Sequence, residues 1–206
     1  MAASPQASDP PPPGHRAVYA VVVMGVTGTG KSTVAAGIAA ALGLACIDGD
    51  DLHAPESVAK MRSGTPLNDE DRWPWLDRIG ARLCELPALS GASAASGGTV
   101  ISCSALKRAY RDRLRAAAPG VRFIFLDGAA DLIRARMLAR KDHYMPPGLL
   151  DSQLNTLQRP GIDERDVVAV NIDTTVDAIV GNAVAALRNT AAGAPPARPA
   201  TKEAQP

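Results

Sequence analysis

The sequence has few aromatic residues and few cysteines, and both shortages narrow the classes of protein it can encode. Only 3% of its 206 residues are Phe, Trp or Tyr, which leaves few platforms on which nucleic-acid bases could stack. The three cysteines, Cys46, Cys84 and Cys103, are odd in number and far apart, so the spacing predicts neither a disulfide framework nor a zinc site. We interpret them as reduced thiols of a cytoplasmic protein.

The sequence also lacks an excess of one charge and any long apolar run. Its 22 Lys and Arg residues nearly balance 21 Asp and Glu residues, so no electrostatic footprint for nucleic acid or a membrane surface is present. No run approaches the roughly 18 apolar residues needed to cross a bilayer. The first 16 residues have neither the basic start nor the apolar segment of a secretory signal. We therefore expect neither nucleic acid nor a membrane as a partner.

Composition divides the chain into one domain and two tails. Residues 1–16, with four consecutive prolines at 10–13, are predicted to be a disordered Pro-rich leader, and residues 190–206 a disordered Ala/Pro-rich tail. Residues 17–189 are long enough for a single domain with a sizeable core. Apolar strand patterns alternate with helical patterns along this region, which predicts an α/β fold with a parallel sheet and helices on both faces.

The most informative stretch is the glycine-rich segment after the first predicted strand. It reads Gly25-x-x-x-x-Gly30-Lys31-Ser32 and leads into an Ala-rich helix, the strand–loop–helix context that a phosphate-binding loop requires. Loop N–H groups and the helix N-terminus would cradle polyphosphate, Lys31 would reach the β- and γ-phosphates, and Ser32 would ligate Mg²⁺. A plain glycine turn is the alternative. The predicted nucleotide-binding residues are Gly25, Val26, Thr27, Gly28, Thr29, Gly30, Lys31, Ser32 and Thr33.

Carboxylates follow the second predicted strand as Asp48-Gly49-Asp50. Ligands bind at the carboxyl ends of strands in an open parallel sheet, and side chains at i and i+2 on extended backbone point the same way. A turn rich in Asp and Gly is the other interpretation. The position after the second strand of a phosphate-loop protein favours a functional role for Asp48 and Asp50.

Two further segments carry candidate basic residues. Lys107 follows the third predicted strand, and Arg111 lies four residues later on what we expect to be the same helix face. Arg136 and Arg140 lie one turn apart on a predicted helix that leads into a His/Pro loop containing His143. Arginine forks match phosphate oxygens, so this segment is interpreted as a lid that closes over phosphates, with ordinary surface arginines as the alternative.

Several longer strings resemble the gluconate kinases, a family of small phosphate-loop kinases, over about residues 21–187. They are the loop itself, Asp48-Gly49-Asp50 with His53, and Lys60-Met61-x-Ser63-Gly64-x-Pro66-Leu67-Asn68-Asp69, followed by Asp71-Arg72-x-Pro74-Trp75-Leu76, Cys103-Ser104-Ala105-Leu106-Lys107, Tyr110-Arg111-Asp112, Arg140 with His143, and Leu150-x-x-Gln153-x-x-Thr156-Leu157 with Pro160. The phosphate loop is shared by many kinases, whereas the strings around Asp71 and Ser104 are more specific.

The resemblance implies a reaction and an architecture. The reaction is transfer of the ATP γ-phosphate to the 6-hydroxyl of D-gluconate, which gives 6-phosphogluconate for the pentose phosphate pathway. The implied fold is the three-layer phosphate-loop kinase fold, a five-stranded parallel sheet with a mobile lid, and frequently a homodimer. ATP and Mg²⁺ are the implied cofactors.

Roles within the site follow from analogy with related small kinases. Lys31, Asp50 and Arg140 are the candidate catalytic residues, and Arg136 a further nucleotide contact. Asp48, with Ser32, is expected to orient Mg²⁺, and Asp50 to accept or orient the acceptor hydroxyl, although these two roles could be exchanged. The candidate substrate-binding residues are Asp50, His53, Arg62, Arg72, Lys107, Arg111 and His143.

Gluconate is an anion, so we expect Arg72 or Lys107 to meet its carboxylate and His53 to meet its hydroxyls. Two other functions remain open at this stage. One is a kinase for shikimate, adenylyl sulfate or a nucleoside monophosphate, and the other is a nucleotide-dependent regulatory protein without catalysis.

Overall fold

A computed structural model describes residues 17–85, 96–139 and 147–191 of the chain. The predicted leader and most of the predicted tail lie outside this part. The small-residue stretch near Ser90 to Gly98 is interpreted from the sequence as a flexible surface loop; residues 90–95 lie outside the described part, whereas residues 96–98 belong to a strand, so that interpretation is wrong for them. Arg140 and His143 of the predicted lid also lie outside it. The final helix reaches Ala191, so it includes the first two residues of the segment predicted as the tail.

The domain is organised around a parallel sheet of five strands. These are β1 (Ala17–Met24), β2 (Ala45–Asp48), β3 (Ser96–Ser102), β4 (Arg122–Asp127) and β5 (Val167–Asn171). Their order is β2-β3-β1-β4-β5, and every neighbouring pair is parallel. The carboxyl ends of all five strands therefore lie at one edge, with β1 and its glycine loop in the middle.

Helices connect the strands. They are α1 (Lys31–Leu42), α2 (Pro55–Arg62), α3 (Asp69–Cys84), α4 (Arg108–Ala117), α5 (Ala130–Leu138), α6 (Pro147–Thr156) and α7 (Val176–Ala191), with a 3₁₀ turn at Gly49–Leu52. Helix α1 ends at Leu42, and its C-cap Gly43 has a φ of 66°, the left-handed conformation in which glycine commonly closes a helix. Helix α3 starts at a reciprocal capping box between Asn68 and Asp71.

The sheet has a buried core on each face, because alternate residues of a strand point to opposite sides. Val21 and Val23 pack in a cluster with residues of α1 and α7, whereas Val22 and Met24 pack with residues of α3 and α4. These four residues at the end of β1 are fully buried, as expected for a strand covered on both faces. The predicted three-layer α/β fold with a five-stranded parallel sheet is confirmed.

Candidate active site

The loop between β1 and α1 has the geometry needed to present its N–H groups to an anion. Gly28 and Gly30 have φ values of 80° and 89°, in the left-handed region that other residues rarely adopt. The loop is closed on itself, because Thr29 donates through its hydroxyl to Val26 O at 2.8 Å. Lys31 Nζ donates to the same carbonyl at 3.1 Å, which holds its charge close to the loop.

Gly28 is also a point of close packing against α5. A Cβ at this position would lie 2.6 Å from Met137 Cγ and 3.0 Å from Ile133 Cγ2. Gly28→Ala is therefore expected to move the loop and weaken Mg·ADP binding about ten-fold or more, since left-handed backbone alone costs an L-residue about 1–2 kcal/mol. Isothermal titration calorimetry measures the affinity.

Gly120→Ala is the matched control for this substitution. Gly120 has a φ of 87°, but a Cβ there would meet no atom within 4 Å. It therefore places the same backbone strain outside the phosphate loop, where it lowers stability but does not move the loop, and its ADP affinity should equal that of the wild type. Equal losses in the two variants would contradict a role for the contact between Gly28 and α5.

Asp48 lies at the end of β2, where three hydrogen-bond donors converge on its carboxylate. Ser32 Oγ donates to Oδ2 at 2.7 Å, Ser102 Oγ donates to Oδ1 at 2.8 Å, and the Asp50 N–H donates to Oδ1 at 3.1 Å. Desolvation acts to raise the pKa of Asp48, but these hydrogen bonds and the charge of Lys31 outweigh it, so the net shift is downward. Asp48 is therefore held as an anion beside the first turn of α1.

Asp50 has the opposite electrostatic environment. Desolvation among the surrounding protein atoms raises its pKa, the negative charge of Asp48 raises it further, and Lys31 opposes the shift. The residue as a whole is nevertheless accessible to water. Two neighbouring carboxyl groups whose pKa values are shifted in opposite directions typically have different chemical roles.

The expected geometry of this pair is wrong in one respect. Asp50 does not continue the extended backbone of β2 but lies in the 3₁₀ turn Gly49–Leu52. The cause is Asp48 itself, whose side chain caps the turn by accepting from the Asp50 N–H. The i, i+2 argument for parallel side chains therefore does not apply, although the two carboxylates remain neighbours.

The donor set at Ser32 and Asp48 suits Mg²⁺. A hydroxyl and a carboxylate are hard oxygen donors, and Mg²⁺ in kinases is usually held by one or two such groups together with substrate phosphates and water. Within the described residues there is no cluster of three or more His, Cys, Asp or Glu side chains that could hold a metal.

His53 and Trp75 form an aromatic pair beside the 3₁₀ turn that contains Asp50. Their rings stack with centroids 4.3 Å apart and planes 10° apart, and the Trp75 indole N–H donates to Gly49 O at 2.7 Å. Desolvation, followed by the charges of Arg72 and Arg78, lowers the pKa of His53 to about 4, so the imidazole is neutral at pH 7. Its Nδ1 is buried without a hydrogen-bond partner, which is a costly state for a polar atom.

Lys107 and Arg72 both lie against Tyr110. The Lys107 ammonium lies 5.5 Å and the Arg72 guanidinium carbon 5.9 Å from the centre of the Tyr110 ring. Lys107 donates to both oxygens of Asp69, at 2.7 and 2.8 Å, and Arg72 Nε donates to Leu67 O at 3.4 Å. The Lys107 side chain is still about one-third exposed. Two cations therefore share one aromatic neighbour, and the charge of one of them, Arg72, also acts on His53.

Arg111 is not part of this surface, so the expectation that it faces the cleft is wrong. Its side chain is only 1% exposed, and its guanidinium donates to both oxygens of Glu164 at 2.7 and 2.6 Å. Its third nitrogen donates to the carbonyls of Ala105, Leu106 and Gln158. The same-face argument failed because Lys107 is the N-cap of α4, with extended backbone, and not a helical residue.

The remaining predicted residues lie on other elements. Arg62 is exposed in the last turn of α2. Arg136 on α5 donates to Ile172 O at 2.7 Å, just beyond the end of β5. A recess of 460 Å³ lies nearby at the carboxyl ends of β4 and β5, lined by Asp127, Gly128, Ala129, Arg159, Ala169 and Asn171.

Sequence reasoning missed some residues that the structure places in the site. Ser102, which bonds Asp48, is aligned with it across β2 and β3, so correct strand register would have revealed it. Asp69, the partner of Lys107, belongs to one of the strings that resemble the gluconate kinases but was given no role in the site. Gln153 Oε1 accepts a hydrogen bond from the Thr27 N–H across 126 positions of sequence, a contact that no local pattern announces.

The fold and the loop define the class of protein, which is an α/β phosphate-loop protein. The family profile described as "AAA domain" matches residues 21–160. The thermoresistant gluconokinase of Escherichia coli K12 is 42% identical over 167 residues, covering 81% of this chain and 92% of that protein. The gluconokinase of Gluconobacter oxydans is 46% identical over 144 residues, covering 70% and 78%.

A solved structure agrees with these sequence matches. The crystal structure of a gluconokinase from Sinorhizobium meliloti 1021 superposes with a TM-score of 0.76 at 45% identity, covering 86% of this chain and 96% of that one. The chain belongs to the gluconokinase family of phosphate-loop kinases. Over the described residues, none of the helices combines the length and apolar character that a bilayer crossing requires.

Proposed function

We propose that the protein is a gluconokinase, which transfers the γ-phosphate of ATP to the 6-hydroxyl of D-gluconate to give 6-phosphogluconate and ADP. The observation that carries the reaction type is the pair Asp48 and Asp50 beside the phosphate loop, with pKa values shifted in opposite directions. The identity of the acceptor is supported by the similarity to relatives named as gluconokinases.

In the proposed mechanism, the loop N–H groups and Lys31 bind the triphosphate and neutralise its charge. Ser32 and Asp48 would hold Mg²⁺, which supplies charge neutralisation at the phosphate oxygens when bound. Asp50 accepts the proton of the 6-hydroxyl. The hydroxyl oxygen then bonds to the γ-phosphorus as the bond to the β–γ bridging oxygen breaks, and ADP leaves.

The environment of Asp50 supports its assignment as the base. Desolvation and the nearby negative charge make its carboxylate more basic than an ordinary aspartate, which favours proton acceptance. Asp48 is already committed to three donors, which favours a role in orientation and metal binding.

Gluconate would lie between the loop and the pair formed by His53 and Trp75. Arg72 and Lys107 supply positive charge for its carboxylate, and the His53 ring is the proposed neighbour of its hydroxyls. The base of ATP would extend to the other side of β1, where the 460 Å³ recess lies at the ends of β4 and β5. Arg140, His143 and Arg62 stay predictions, as do a homodimer and a cytoplasmic location.

Truncating the two cations tests the gluconate pocket. We expect Arg72→Ala and Lys107→Ala each to raise the KM for gluconate about ten-fold to hundred-fold, because a hydrogen bond to a charged group contributes about 1.5–3 kcal/mol. The KM for ATP should change little. Arg113→Ala is the control, because Arg113 is a cation on α4 that pairs with Asp77 at the surface. Unchanged gluconate KM in both variants would contradict the assignment.

A panel of acceptors tests the reaction itself. ADP release from Mg·ATP is measured with D-gluconate, shikimate, AMP, adenylyl sulfate and no acceptor. Turnover with gluconate alone is expected. Turnover with another acceptor would replace the substrate but keep the kinase assignment, and ATP binding without any turnover would favour a regulatory protein.

A further inference from the structure

Gln153 on α6 makes a direct contact with the phosphate loop. Its side-chain oxygen accepts a hydrogen bond from the backbone N–H of Thr27 at 2.6 Å. Thr27 is 8% exposed, and Gln153 is half-buried, so water competes little for this bond. The contact joins the third residue of the loop to a helix 126 positions away in sequence.

Helix α6 is fixed next to the loop by two other interactions. Leu150 on α6 is 1% exposed and belongs to the same core cluster as Val26 of the loop and Ile133 of α5. Asp151 accepts from Arg134 of α5 at 2.6 Å. Gln153 therefore projects from a helix whose position relative to the loop is determined by packing, and α5 contacts the next loop residue, Gly28.

The chemistry of the side chain matters at this position. The N–H groups of a phosphate loop act together as a concave anion site, and their directions are set by the peptide planes of consecutive residues. An acceptor on the Thr27 N–H fixes the first of these planes. A neutral amide does this without placing a negative charge beside the phosphates, whereas a carboxylate of the same shape would repel them.

We propose that Gln153 is a positioning residue for the nucleotide: it holds the Thr27 peptide so that the following loop N–H groups are directed at the triphosphate. The inference rests on the proposed binding of ATP by this loop. Gln153 acts through Thr27 and does not touch the reacting atoms. The bond persists when nucleotide binds, so removing it weakens nucleotide binding and leaves gluconate binding unchanged.

Two variants of Gln153 test the hydrogen bond and the neutrality of the side chain separately. Gln153→Met keeps the length of the side chain and removes the acceptor, and should raise the Kd for Mg·ADP about two-fold to ten-fold, the worth of one neutral hydrogen bond. Gln153→Glu keeps the acceptor but adds charge. Its Kd should rise further at low salt, and its ratio to the wild-type Kd should fall as salt screens the repulsion. The ratio for Gln153→Met should not depend on salt.

Gln158→Met is the matched control, because the Gln158 side-chain oxygen also accepts from a backbone N–H, that of Arg108, at 2.7 Å. It should leave the Kd for Mg·ADP unchanged. The amide proton of Thr27, followed by NMR in the free protein, should shift upfield in Gln153→Met and not in Gln158→Met. The gluconate KM should be unchanged in all three variants.

Some results would overturn the proposal. Unchanged or tighter ADP binding in Gln153→Met would mean that the contact is irrelevant or competes with phosphate, and equal losses in the Gln158→Met control would mean a general loss of structure. Because ADP binding is measured without acceptor, a wild-type protein that binds ADP but does not phosphorylate gluconate would contradict the proposed function alone. A wild-type protein that does not bind ADP would contradict both.

Discussion

Replacing Asp50 with Asn is expected to lower kcat with gluconate about 10²–10⁴-fold, the range by which a positioned general base accelerates a reaction. An amide has nearly the same shape but cannot accept the hydroxyl proton. Since Asp50 is not expected to hold the nucleotide, the Kd for Mg·ADP should change little. Steady-state kinetics and calorimetry measure the two quantities.

The pH dependence gives a second test of the same residue. The pKa of Asp50 is raised and that of Asp48 is lowered, so as pH falls Asp50 is the first of the two to be protonated. A protonated carboxyl cannot accept a proton, so wild-type kcat should fall on the acid side as pH drops through the raised pKa of Asp50. Asp50→Asn should lose this limb, because its residual activity does not depend on that proton.

Asp51→Asn is the control, because Asp51 lies in the same 3₁₀ turn and is exposed. It should retain both kcat and the acid limb. Asp48→Asn should instead weaken binding of the Mg²⁺ complex of ADP. If Asp48→Asn loses kcat with full nucleotide affinity while Asp50→Asn loses metal-dependent binding, the two roles are exchanged.

Replacing Glu164 with Gln is expected to lower the free energy of unfolding by about 3–5 kcal/mol, the cost of breaking a buried ion pair by removing one partner. The Glu164 side chain is 2% exposed and accepts from Arg111 and Arg115 at 2.6 and 2.7 Å. Its loss leaves the Arg111 guanidinium, 1% exposed, without a counter-charge. Urea unfolding followed by circular dichroism measures the change.

Acid should weaken the same pair in the wild type. Hydrogen bonds from Arg111 first, with those from Arg115 and Gly161, overcome desolvation and hold the pKa of Glu164 at about 2, below its unfolded value of 4.5. The stabilisation is therefore fully present above about pH 4.5 and is lost as pH falls toward 2. The stability difference between wild type and Glu164→Gln should shrink over this window.

Asp163→Asn is the matched control, because Asp163 is the neighbouring residue and its pair with Arg108 is exposed. Such pairs contribute little. A loss in Asp163→Asn equal to that in Glu164→Gln would contradict a special role for the buried pair.

The part of the site that follows from local chemistry could be predicted from the sequence. The phosphate loop is encoded within eight consecutive residues, and its glycines, lysine and serine have fixed tasks. The order of strands and helices was likewise predictable from apolar periodicity, and the α1 terminus at Gly43 from one glycine.

The parts that depend on tertiary contacts could not be predicted in this way. Nothing in the local sequence distinguishes Arg111 from an arginine on the protein surface. It is buried because it pairs with the carboxylate of Glu164, which lies 53 positions later in the sequence. Helix α4 begins at Arg108, one residue after Lys107. Because Lys107 is outside the helix, its side chain and that of Arg111 do not project from the same helix face. Asp48 changed the backbone after β2 by capping the turn, an effect that depends on side-chain orientation.

The stack of His53 on Trp75 has a practical consequence. The sequence has two tryptophans, Trp73 and Trp75, and both lie on α3. The phosphate loop has none. Any ligand that changes the polarity around the His53 ring will alter the indole emission of Trp75, because the two rings are stacked. The protein thus contains its own fluorescent reporter for a ligand that binds beside His53.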